Sequence, residues 1–586
     1  MTLTRIFDIP YITLKKYAKP DYINDKIDGS WRHYSTAEFI AKSDQFSRGL
    51  IKLGLKKGDK ISLITSTNRT EWCVIDQAAL QLGIITVPIY PSISQADCVY
   101  NLGDSDCFYC FVSDEKLYNK IDEIRKDLPL LKDIYTFDKV KNAKSWNEIL
   151  DLGKDESSQA DLEQIKKEIY PEDLVSIIYT SGTTGTPKGV MLTHNNIVQD
   201  MIGCEDRIPR REGDDSRALS FLPMCHVFER MIFYLFTYNG FAIYFAESTD
   251  KLSENLQEVK PHYMTVVPRV IEKVYDSIYK KGTEAGGIKK RIFLWSLKIA
   301  ENYKLGTPKT FWHHIADKLV FSKWRAGIGG NILTLVSGSA PLSKRLNIMF
   351  QAARIPIQEG YGLTETSPVI SVNSFEFMKI GSIGKPLFNV DVKIAEDGEI
   401  CVKGPTVTQG YYKNPELSAQ AFDAEAYFKT GDIGIIDKDG FLFITDRKKE
   451  MFKTSGGKYV APQVIENLAK ASLFIEQIMV VGEGEKMPTA LVQPDFEYAK
   501  QWAKETNINI GTTPAEIAKN PVLKAAIEKE IINLNKNLGN WEQIKKIELT
   551  PEIWTEDNGM LTPTLKLKRK TIKEHFIKLY NKLYDR

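Results

Sequence analysis

Strand-like and helix-like stretches alternate through the first half of the chain, and this alternation limits the folds open to it. The helical stretches include one that Thr36 is predicted to cap and that ends at Gly54, and another from Glu71 to Leu82. Strand, helix and strand in succession favour largely parallel sheets covered by helices, and therefore an α/β fold. The apolar, β-branched runs predicted as buried strands are 60–65, 84–90, 174–180, 263–268 and 332–338.

The pattern changes in the second half of the chain. From about Gly381, short strands separated by Gly, Asp and Pro turns predict a small β-barrel-like unit. A polar stretch with four lysines and two glycines then spans 446–462. We predict a boundary there, between a large N-terminal domain of residues 1–446 and a smaller α+β domain of residues 447–586.

Composition excludes several classes of function. A net charge of +2 gives no field that would favour nucleic acid, and seven cysteines in 586 residues do not form a disulfide framework. The most membrane-like segment, Met231 to Ala246, is shorter than a bilayer span and is broken at Asn239-Gly240. We interpret it as a helix, a turn and a buried strand, and expect a cytoplasmic protein.

The most informative stretch follows the predicted strand at 174–180. Glycines let successive backbone N–H groups turn toward one anion, hydroxyls add donors, and Lys188 supplies a positive charge suited to a polyphosphate. A Walker A loop is excluded, because Pro187 precedes the lysine and Gly189 follows it. The alternative is a flexible connector. The predicted phosphate ligands are Thr180, Ser181, Gly182, Thr183, Thr184, Gly185, Thr186 and Lys188.

This stretch closely resembles the phosphate loop of the AMP-forming adenylate enzymes, a family that includes acyl-CoA synthetases, peptide-synthetase adenylation domains and luciferases. Further motifs follow in the family's order over most of the chain, from about residue 30 to 575. The resemblance implies a reaction in two steps. A carboxylate attacks ATP to give an acyl-adenylate and pyrophosphate, and the acyl group then passes to coenzyme A.

The resemblance also implies the remaining site residues. His226 would lie beside the acyl carboxylate, Tyr361 would stack on adenine, and Glu365 would bind Mg²⁺. Asp432, assisted by Arg447, would accept both ribose hydroxyls. As isolated residues, His226 could equally begin a polar helix, and 358–366 could be a surface loop. The other residues expected to bind nucleotide are Gly338, Ser339, Ala340, Pro341, Glu359, Gly360, Gly362 and Thr364.

Near the C-terminus, Lys566 matches the lysine that in the family contacts the acyl carboxylate and the α-phosphate. Leu565 replaces the family's usual glycine, and Lys568 two residues later is the alternative. We interpret the run from Lys568 to Lys570 as a solvated basic strand. In the family the C-terminal domain rotates about a hinge, which matches Lys449. The loop thought to admit coenzyme A contains Lys453, Ser455, Gly456 and Gly457.

The acid itself is expected to have an uncharged tail. No aspartate stands among the residues before His226, where a domain that adenylates amino acids would pair with an ammonium group. The stretches at 222–230 and 558–570 resemble the long-chain fatty acyl-CoA synthetases. Medium-chain or aryl acids remain alternatives, as does a fatty-acyl-AMP ligase that feeds an acyl carrier protein. Oligomeric state is not readable, and the basic tail from Lys566 to Lys582 leaves open a peripheral contact with the inner face of a membrane.

Overall fold

The chain forms two compact units. The computed structural model describes residues 3–180, 186–208, 215–470, 472–536, 538–562 and 566–586. The first unit contains Met1–Gly338, Asn347–Val392 and Cys401–Lys429. The second contains Ser339–Leu346, Lys393–Ile400 and Thr430–Arg586.

A nine-stranded sheet forms one half of the first unit. Its central strands pair in parallel. Antiparallel pairs occur only toward its two ends, where Val369–Val372 pairs with Ile357–Gly362 and Lys385–Pro386, and Ile23–Ile27 pairs with Ser30–Tyr34. The strand order is Lys385–Pro386, Val369–Val372, Ile357–Gly362, Thr334–Ser337, Tyr263–Val266, Arg217–Ser220, Ala242–Phe245, Ile23–Ile27 and Ser30–Tyr34.

A seven-stranded sheet forms the other half. All its pairs are parallel except the last, in which Leu174–Thr180 and Lys188–Thr193 run antiparallel. The predicted parallel-rich architecture is therefore confirmed. The strand order is Lys144–Ser145, Asp133–Thr136, Cys107–Val112, Lys60–Ile64, Ile85–Pro88, Leu174–Thr180 and Lys188–Thr193.

Three smaller sheets follow. The small β unit predicted from about Gly381 is a four-stranded sheet of Asp391–Ile394, Glu399–Lys403, Phe428–Ile436 and Leu442–Arg447. Phe452–Lys453 pairs with Tyr459–Val460 in a hairpin. The core of the second unit packs helices on the sheet of Ile475–Val481, Thr489–Pro494 and Ile547–Leu549. The domain boundary predicted between residues 446 and 447 falls at the end of a strand and stays a prediction.

Helices surround these sheets. Among the described residues, no helix has both the length and the apolar run that crossing a membrane requires. The α-helices before residue 260 are Ile9–Tyr17, Thr36–Lys52, Thr70–Leu82, Gln95–Asp104, Glu115–Asp122, Trp146–Leu152, Gln159–Lys167, His194–Cys204, Val227–Tyr238 and Leu252–Val259. The later ones are Pro268–Glu284, Gly287–Glu301, Phe311–Ala316, Ser322–Gly327, Lys344–Ala352, Pro415–Gln420, Pro462–Ala469, Phe496–Thr506, Pro514–Lys519, Pro521–Asn535, Arg569–His575 and Ile577–Leu583.

One local prediction in the first unit is confirmed, and another, at a helix start, is wrong. The segment from Met231 to Ala246 is a helix, a turn at Gly240 and the strand Ala242–Phe245, as predicted. Thr36 does not cap its helix. Ser35 does, because its hydroxyl accepts a hydrogen bond from the N–H of Glu38 while the Glu38 carboxylate accepts one from the N–H of Ser35.

A buried ion pair ties helix Val227–Tyr238 to the seven-stranded sheet. Arg230 donates to Asp76 at 2.5 Å and also to the hydroxyls of Thr86 and Ser176, which lie on adjacent strands. Both charged side chains are almost fully buried. Leaving either charge without the other would be strongly destabilising, so this pair fixes the position of the helix.

The same helix is also fixed to the nine-stranded sheet. The buried Glu229 carboxyl accepts hydrogen bonds from the hydroxyls of Ser220 and Thr265, at the ends of two neighbouring parallel strands. Burial raises the pKa of Glu229 to about 7, and the two hydroxyl donors offset part of that shift. Glu229 is therefore a structural residue that holds His226, three positions earlier, at this edge.

The raised pKa of Glu229 predicts a pH-dependent stability. Its ordinary pKa is 4.5, so folding favours the protonated carboxyl; this contribution is present below about pH 4.5 and is lost as pH rises through about 7. Between pH 5 and 8, Glu229→Gln should gain stability relative to the parent chain by on the order of 3 kcal/mol. Thermal unfolding at each pH measures it. The control, Glu528→Gln at an exposed glutamate, should show a constant offset, and a constant offset for Glu229→Gln would refute the assignment.

Candidate active site

The predicted phosphate loop begins and ends at one edge of the seven-stranded sheet. Thr180, the last residue of its strand, lies directly opposite Lys188, the first residue of the next. Gly189 is required after the lysine, because a Cβ there would lie 2.8 Å from Ile177 and 3.2 Å from the Tyr179 ring. The hairpin thus fixes the lysine at the base of the loop. The predicted ligands Ser181, Gly182, Thr183, Thr184 and Gly185 lie outside the described residues.

A distant segment extends this hairpin. Tyr411 pairs with Val190, and the N–H of Tyr412 donates to the carbonyl of Gly189 at 2.8 Å. Tyr411 is thereby placed beside the base of the phosphate loop, although more than two hundred residues separate them in sequence.

Tyr411 contacts both predicted charged ligands. The Lys188 ammonium lies 5.1 Å from the centroid of the Tyr411 ring, and the Tyr411 hydroxyl donates to Glu365 Oε1 at 3.1 Å. Burial and the neighbouring Glu365 carboxylate raise the pKa of Tyr411, so the phenol stays protonated and remains a donor. The structure therefore brings Lys188 and Glu365 to one place. The N–H of Thr408 holds the Glu365 backbone by donating to its carbonyl at 2.8 Å.

Tyr411 is a site residue that none of the sequence motifs predicts. The only available signal was an aromatic pair, Tyr411-Tyr412, after Gly410 and before an Asn-Pro turn. Aromatic residues beside turns are usually core residues, so the pattern alone does not distinguish a site residue.

The segment predicted to hold adenine is partly a strand. As isolated residues, 358–366 could be a surface loop, but Gly360 and Tyr361 pair with Val372 and Ser371 across an antiparallel ladder. Glu359 and Tyr361 share one face because residues two apart on a strand point the same way. Both are buried, and Glu359 accepts from the Asn347 amide at 2.8 Å. Thr364 and Glu365 follow in a short 3₁₀ turn.

Glycine is obligatory at the end of this strand. A Cβ on Gly362 would lie 1.7 Å from the carbonyl oxygen of Pro368. The close approach of the Gly362 and Pro368 segments lets the 3₁₀ turn reverse direction directly after the strand, and this reversal positions Glu365.

The His226 segment and Gly338 meet at the carboxyl edge of the nine-stranded sheet, because the strands before them run parallel with one strand between them. A Cβ on Gly338 would lie 3.3 Å from the ring of Phe228, so glycine admits that ring. His226 Nδ1 accepts from the N–H of Phe228 at 3.2 Å, which leaves the proton of the neutral ring on Nε2. Beyond Gly338, Ser339 has a φ of 68° and Ala340 and Pro341 are exposed.

In the second unit, the predicted ribose ligands are adjacent. Asp432 and Arg447 lie opposite each other on two antiparallel strands, with the Arg447 Nε 3.3 Å from the Asp432 carboxylate. Asp432 is buried and Arg447 is partly exposed. An arginine in this position holds one carboxylate oxygen and orients the other.

Lys566 interacts electrostatically with Asp432 and Arg447. Its side chain keeps contact with solvent, yet partial desolvation and the Arg447 cation lower the pKa of Lys566 to about 8, while Asp432 and Glu450 act in the opposite direction. Lys568 instead precedes helix Arg569–His575 at its cap position.

The interpretation of 568–570 as a solvated basic strand is wrong. Arg569 and Lys570 begin a helix, and Arg569 donates to Glu466 at 2.7 Å and to Glu450 at 3.1 Å. These two carboxylates, distant in sequence, convert an apparently solvated charge into a structural one.

The predicted hinge and coenzyme A loop also lie in the second unit. Lys449 is in the turn that follows strand Leu442–Arg447. Lys453 is in the hairpin of Phe452–Lys453 and Tyr459–Val460, whose turn contains Ser455 and Gly456. Gly457 has a φ of 75°, a conformation that favours glycine, and open space surrounds the position of its missing Cβ.

Comparison with known proteins identifies the family. A family model described as AMP-binding enzyme matches residues 15–412. A long-chain-fatty-acid–CoA ligase of Mycobacterium bovis is 35% identical over 579 residues, covering 97% of this chain and 95% of the ligase. Long-chain-fatty-acid–CoA ligase 6 of Homo sapiens is 32% identical over 593 residues, covering 95% of this chain and 82% of that one.

A solved structure supports the fold. The A domain of a carboxylic acid reductase from Segniliparus rugosus, in complex with AMP and a co-purified carboxylic acid, matches with a TM-score of 0.76 at 19% identity and covers 99% of this chain and 94% of that one. At this identity the likeness concerns the fold alone, and it confirms the predicted adenylate-forming architecture. The family model and the full-length relatives go further: this chain belongs to the AMP-binding enzyme family.

Proposed function

We propose that this chain activates a long-chain fatty acid with ATP and transfers the acyl group to coenzyme A, releasing pyrophosphate and then AMP. The contact of Lys188, Tyr411 and Glu365 carries the proposal, because it places a cation for phosphate beside a carboxylate suited to a metal ion. Relatives of 35% and 32% identity named as long-chain-fatty-acid–CoA ligases support the choice of acid and acceptor.

The first step brings two anions together. A carboxylate oxygen attacks the α-phosphorus of ATP, and the bond from that phosphorus to the pyrophosphate oxygen breaks. In-line positioning and neutralisation of charge then provide the catalysis, and no side-chain nucleophile is needed. We assign the neutralising charges to Lys188 at the phosphate loop and to Lys566, and we place His226 beside the acyl carboxylate.

Glu365 fits a magnesium ligand. Mg²⁺ is held in nucleotide sites by one or two carboxylates together with phosphate oxygens and water. When bound, Mg²⁺ neutralises phosphate charge. The Tyr411 hydroxyl would hold one Glu365 oxygen and orient the carboxylate.

Nucleotide recognition is divided among the remaining predicted residues. Tyr361 would stack on adenine, with Glu359 on the same strand face. The buried Asp432 carboxylate would accept both ribose hydroxyls, with Arg447 holding its orientation. The influence of Asp432 and Arg447 on Lys566 supports Lys566, rather than Lys568, as the lysine near the nucleotide.

The second step requires the coenzyme A thiol to reach the acyl carbonyl carbon beside which Lys566 is proposed to act in the first step. We propose that residues 447–586 rotate about Lys449 between the two half-reactions, as in the family. A turn at the end of a strand can absorb such a change in torsion angles. The hairpin with Lys453 and Gly457 would then deliver coenzyme A, and the open space around Gly457 suits the passage of a pantetheine arm.

A panel of acids tests the proposed function. With ATP, magnesium and coenzyme A, the purified protein should form thioesters of palmitate and oleate at higher kcat/KM than those of octanoate or benzoate. A maximum at octanoate or benzoate would instead establish one of the alternative acids. Acyl-AMP that accumulates without thioester would identify a fatty-acyl-AMP ligase, and no product from any acid would overturn the proposal.

Lys566 separates the half-reactions. Lys566→Ala should slow acyl-adenylate formation by at least about 100-fold, because a charge that stabilises the transition state is lost, and should spare thioester formation from supplied acyl-AMP. Since the pKa of Lys566 is lowered to about 8, adenylation should fall as pH rises through 8, and Lys566→Arg should extend activity to higher pH.

The matched control is Lys568→Ala, which removes the same charge two residues away. It should retain both half-reactions. If Lys568→Ala abolishes adenylation and Lys566→Ala does not, the assignment is reversed; equal loss of both half-reactions in Lys566→Ala would contradict rotation of the domain.

A further inference from the structure

Two surface aromatic rings of the second unit each lie beside a lysine. Tyr459 is 56% exposed and Trp541 is 48% exposed. The Lys453 ammonium lies 4.6 Å from the centroid of the Tyr459 ring, and the Lys458 ammonium lies 5.8 Å from that of the Trp541 ring. Because Lys458 and Tyr459 are adjacent in sequence, the two pairs form one surface, which we call the lysine–aromatic cluster.

The hairpin of the predicted coenzyme A loop fixes the first of these pairs. Lys453 and Tyr459 lie directly opposite each other on its two short strands. The other opposing pair, Phe452 and Val460, is buried in the core of the second unit. Neighbouring residues of a strand point to opposite faces, so the lysine and the tyrosine are held side by side in solvent.

Hydrogen bonds fix the segment that carries Trp541. The Asn535 amide donates to the carbonyl of Ile544 at 2.9 Å and accepts from the N–H of the same residue at 3.0 Å. The Glu542 carboxylate accepts from the N–H of Gly539 at 3.0 Å. A Cβ on Gly539 would lie 3.1 Å from the Trp541 ring, so glycine lets the ring lie close to the backbone. The ring is thus positioned without being buried.

Acidic side chains do not neutralise the two lysines of the cluster. Within the part of the chain that the structure describes, no carboxylate lies within 4.0 Å of the Lys453 or the Lys458 ammonium. Lys524, by contrast, is paired with Glu548 of the same unit at 2.8 Å. The cluster therefore offers two positive charges beside two exposed rings.

We propose that the lysine–aromatic cluster binds the nucleotide end of coenzyme A, its 3′-phosphoadenosine 5′-diphosphate. Nucleotide bases stack on exposed aromatic rings, and lysine ammonium groups bind phosphate. We assign adenine to the Trp541 ring and the phosphate groups to Lys453 and Lys458. The cluster would then hold the part of the thiol substrate that takes no part in the reaction.

The position of the cluster along the chain agrees with this assignment. Gly457, beside which the pantetheine arm is proposed to pass, directly precedes Lys458, so the nucleotide at the other end of the arm would reach the cluster. The inference therefore rests on the proposed transfer to coenzyme A. An acyl carrier protein would present a pantetheine arm without adenine and would gain nothing from the two rings.

Steady-state kinetics with two thiols tests the subsite. Trp541→Ala should raise the KM for coenzyme A by at least about tenfold, because adenine loses its stacking surface, and should leave kcat within about twofold, because the thiol is remote from the ring. Trp541→Phe should restore most of the affinity. Lys458→Ala should raise the KM by at least about fivefold, and by less in 0.5 M NaCl. With pantetheine, which lacks the nucleotide, Trp541→Ala should match the parent chain.

Direct binding separates this inference from the proposed function. Adenosine 3′,5′-bisphosphate is titrated by calorimetry into the full-length protein in saturating AMP and without acid. The parent chain should bind it, and Trp541→Ala should weaken the binding by at least about tenfold. If the parent chain forms no thioester yet binds the bisphosphate in this way, the proposed function fails and the subsite stands. Thioester formation with an unchanged KM for coenzyme A in Trp541→Ala and Lys458→Ala would overturn the subsite alone.

Matched controls remove similar groups outside the cluster. Phe388→Ala deletes an exposed ring of the first unit, and Lys519→Ala deletes an exposed charge of the second. Both should keep the parent chain's KM for coenzyme A. An equal rise of KM in control and cluster variants, or an equal loss with pantetheine in Trp541→Ala, would contradict recognition of the nucleotide at this surface.

Discussion

The contact of Tyr411 with Lys188 and Glu365 is the constraint on which the candidate site depends. Lys188 and Glu365 are far apart in the sequence. A third segment pairs with the phosphate-loop hairpin, and its Tyr411 contacts both residues. The Tyr411 ring lies under the Lys188 ammonium and its hydroxyl donates to the Glu365 carboxylate, so one side chain holds both charged groups in place. Both charged groups are thereby held beside the base of the phosphate loop, where we propose that they bind nucleotide phosphate and a metal ion.

Two further buried carboxyl groups fix the helix that begins at His226. Asp76 binds Arg230 on the side of the seven-stranded sheet, and Glu229 joins two strand ends of the nine-stranded sheet. Adjacent residues of one helix thus fasten it to both sheets, and His226 begins that helix. The first unit is therefore held rigid where the acid is proposed to bind, which is what precise positioning of reactants requires.

The strands and many helices could be predicted because buried segments have a recognisable arrangement of apolar residues, as in the apolar runs at 60–65 and 174–180. No local sequence pattern shows which distant segments pair with each other. Tyr411 looks like an ordinary core residue, and Arg569 looks solvated until Glu450 and Glu466 are placed beside it. The choice between Lys566 and Lys568 likewise depends on Asp432 and Arg447, more than a hundred residues away.

Fatty-acid-dependent exchange of labelled pyrophosphate into ATP, without coenzyme A, isolates the adenylation step at this site. Palmitate and magnesium together should start the exchange in the parent chain, and Lys188→Ala should lower its rate by at least about 100-fold. Absence of exchange with every fatty acid, or an undiminished rate in Lys188→Ala, would contradict a site in which this lysine holds the nucleotide phosphates while the carboxylate attacks.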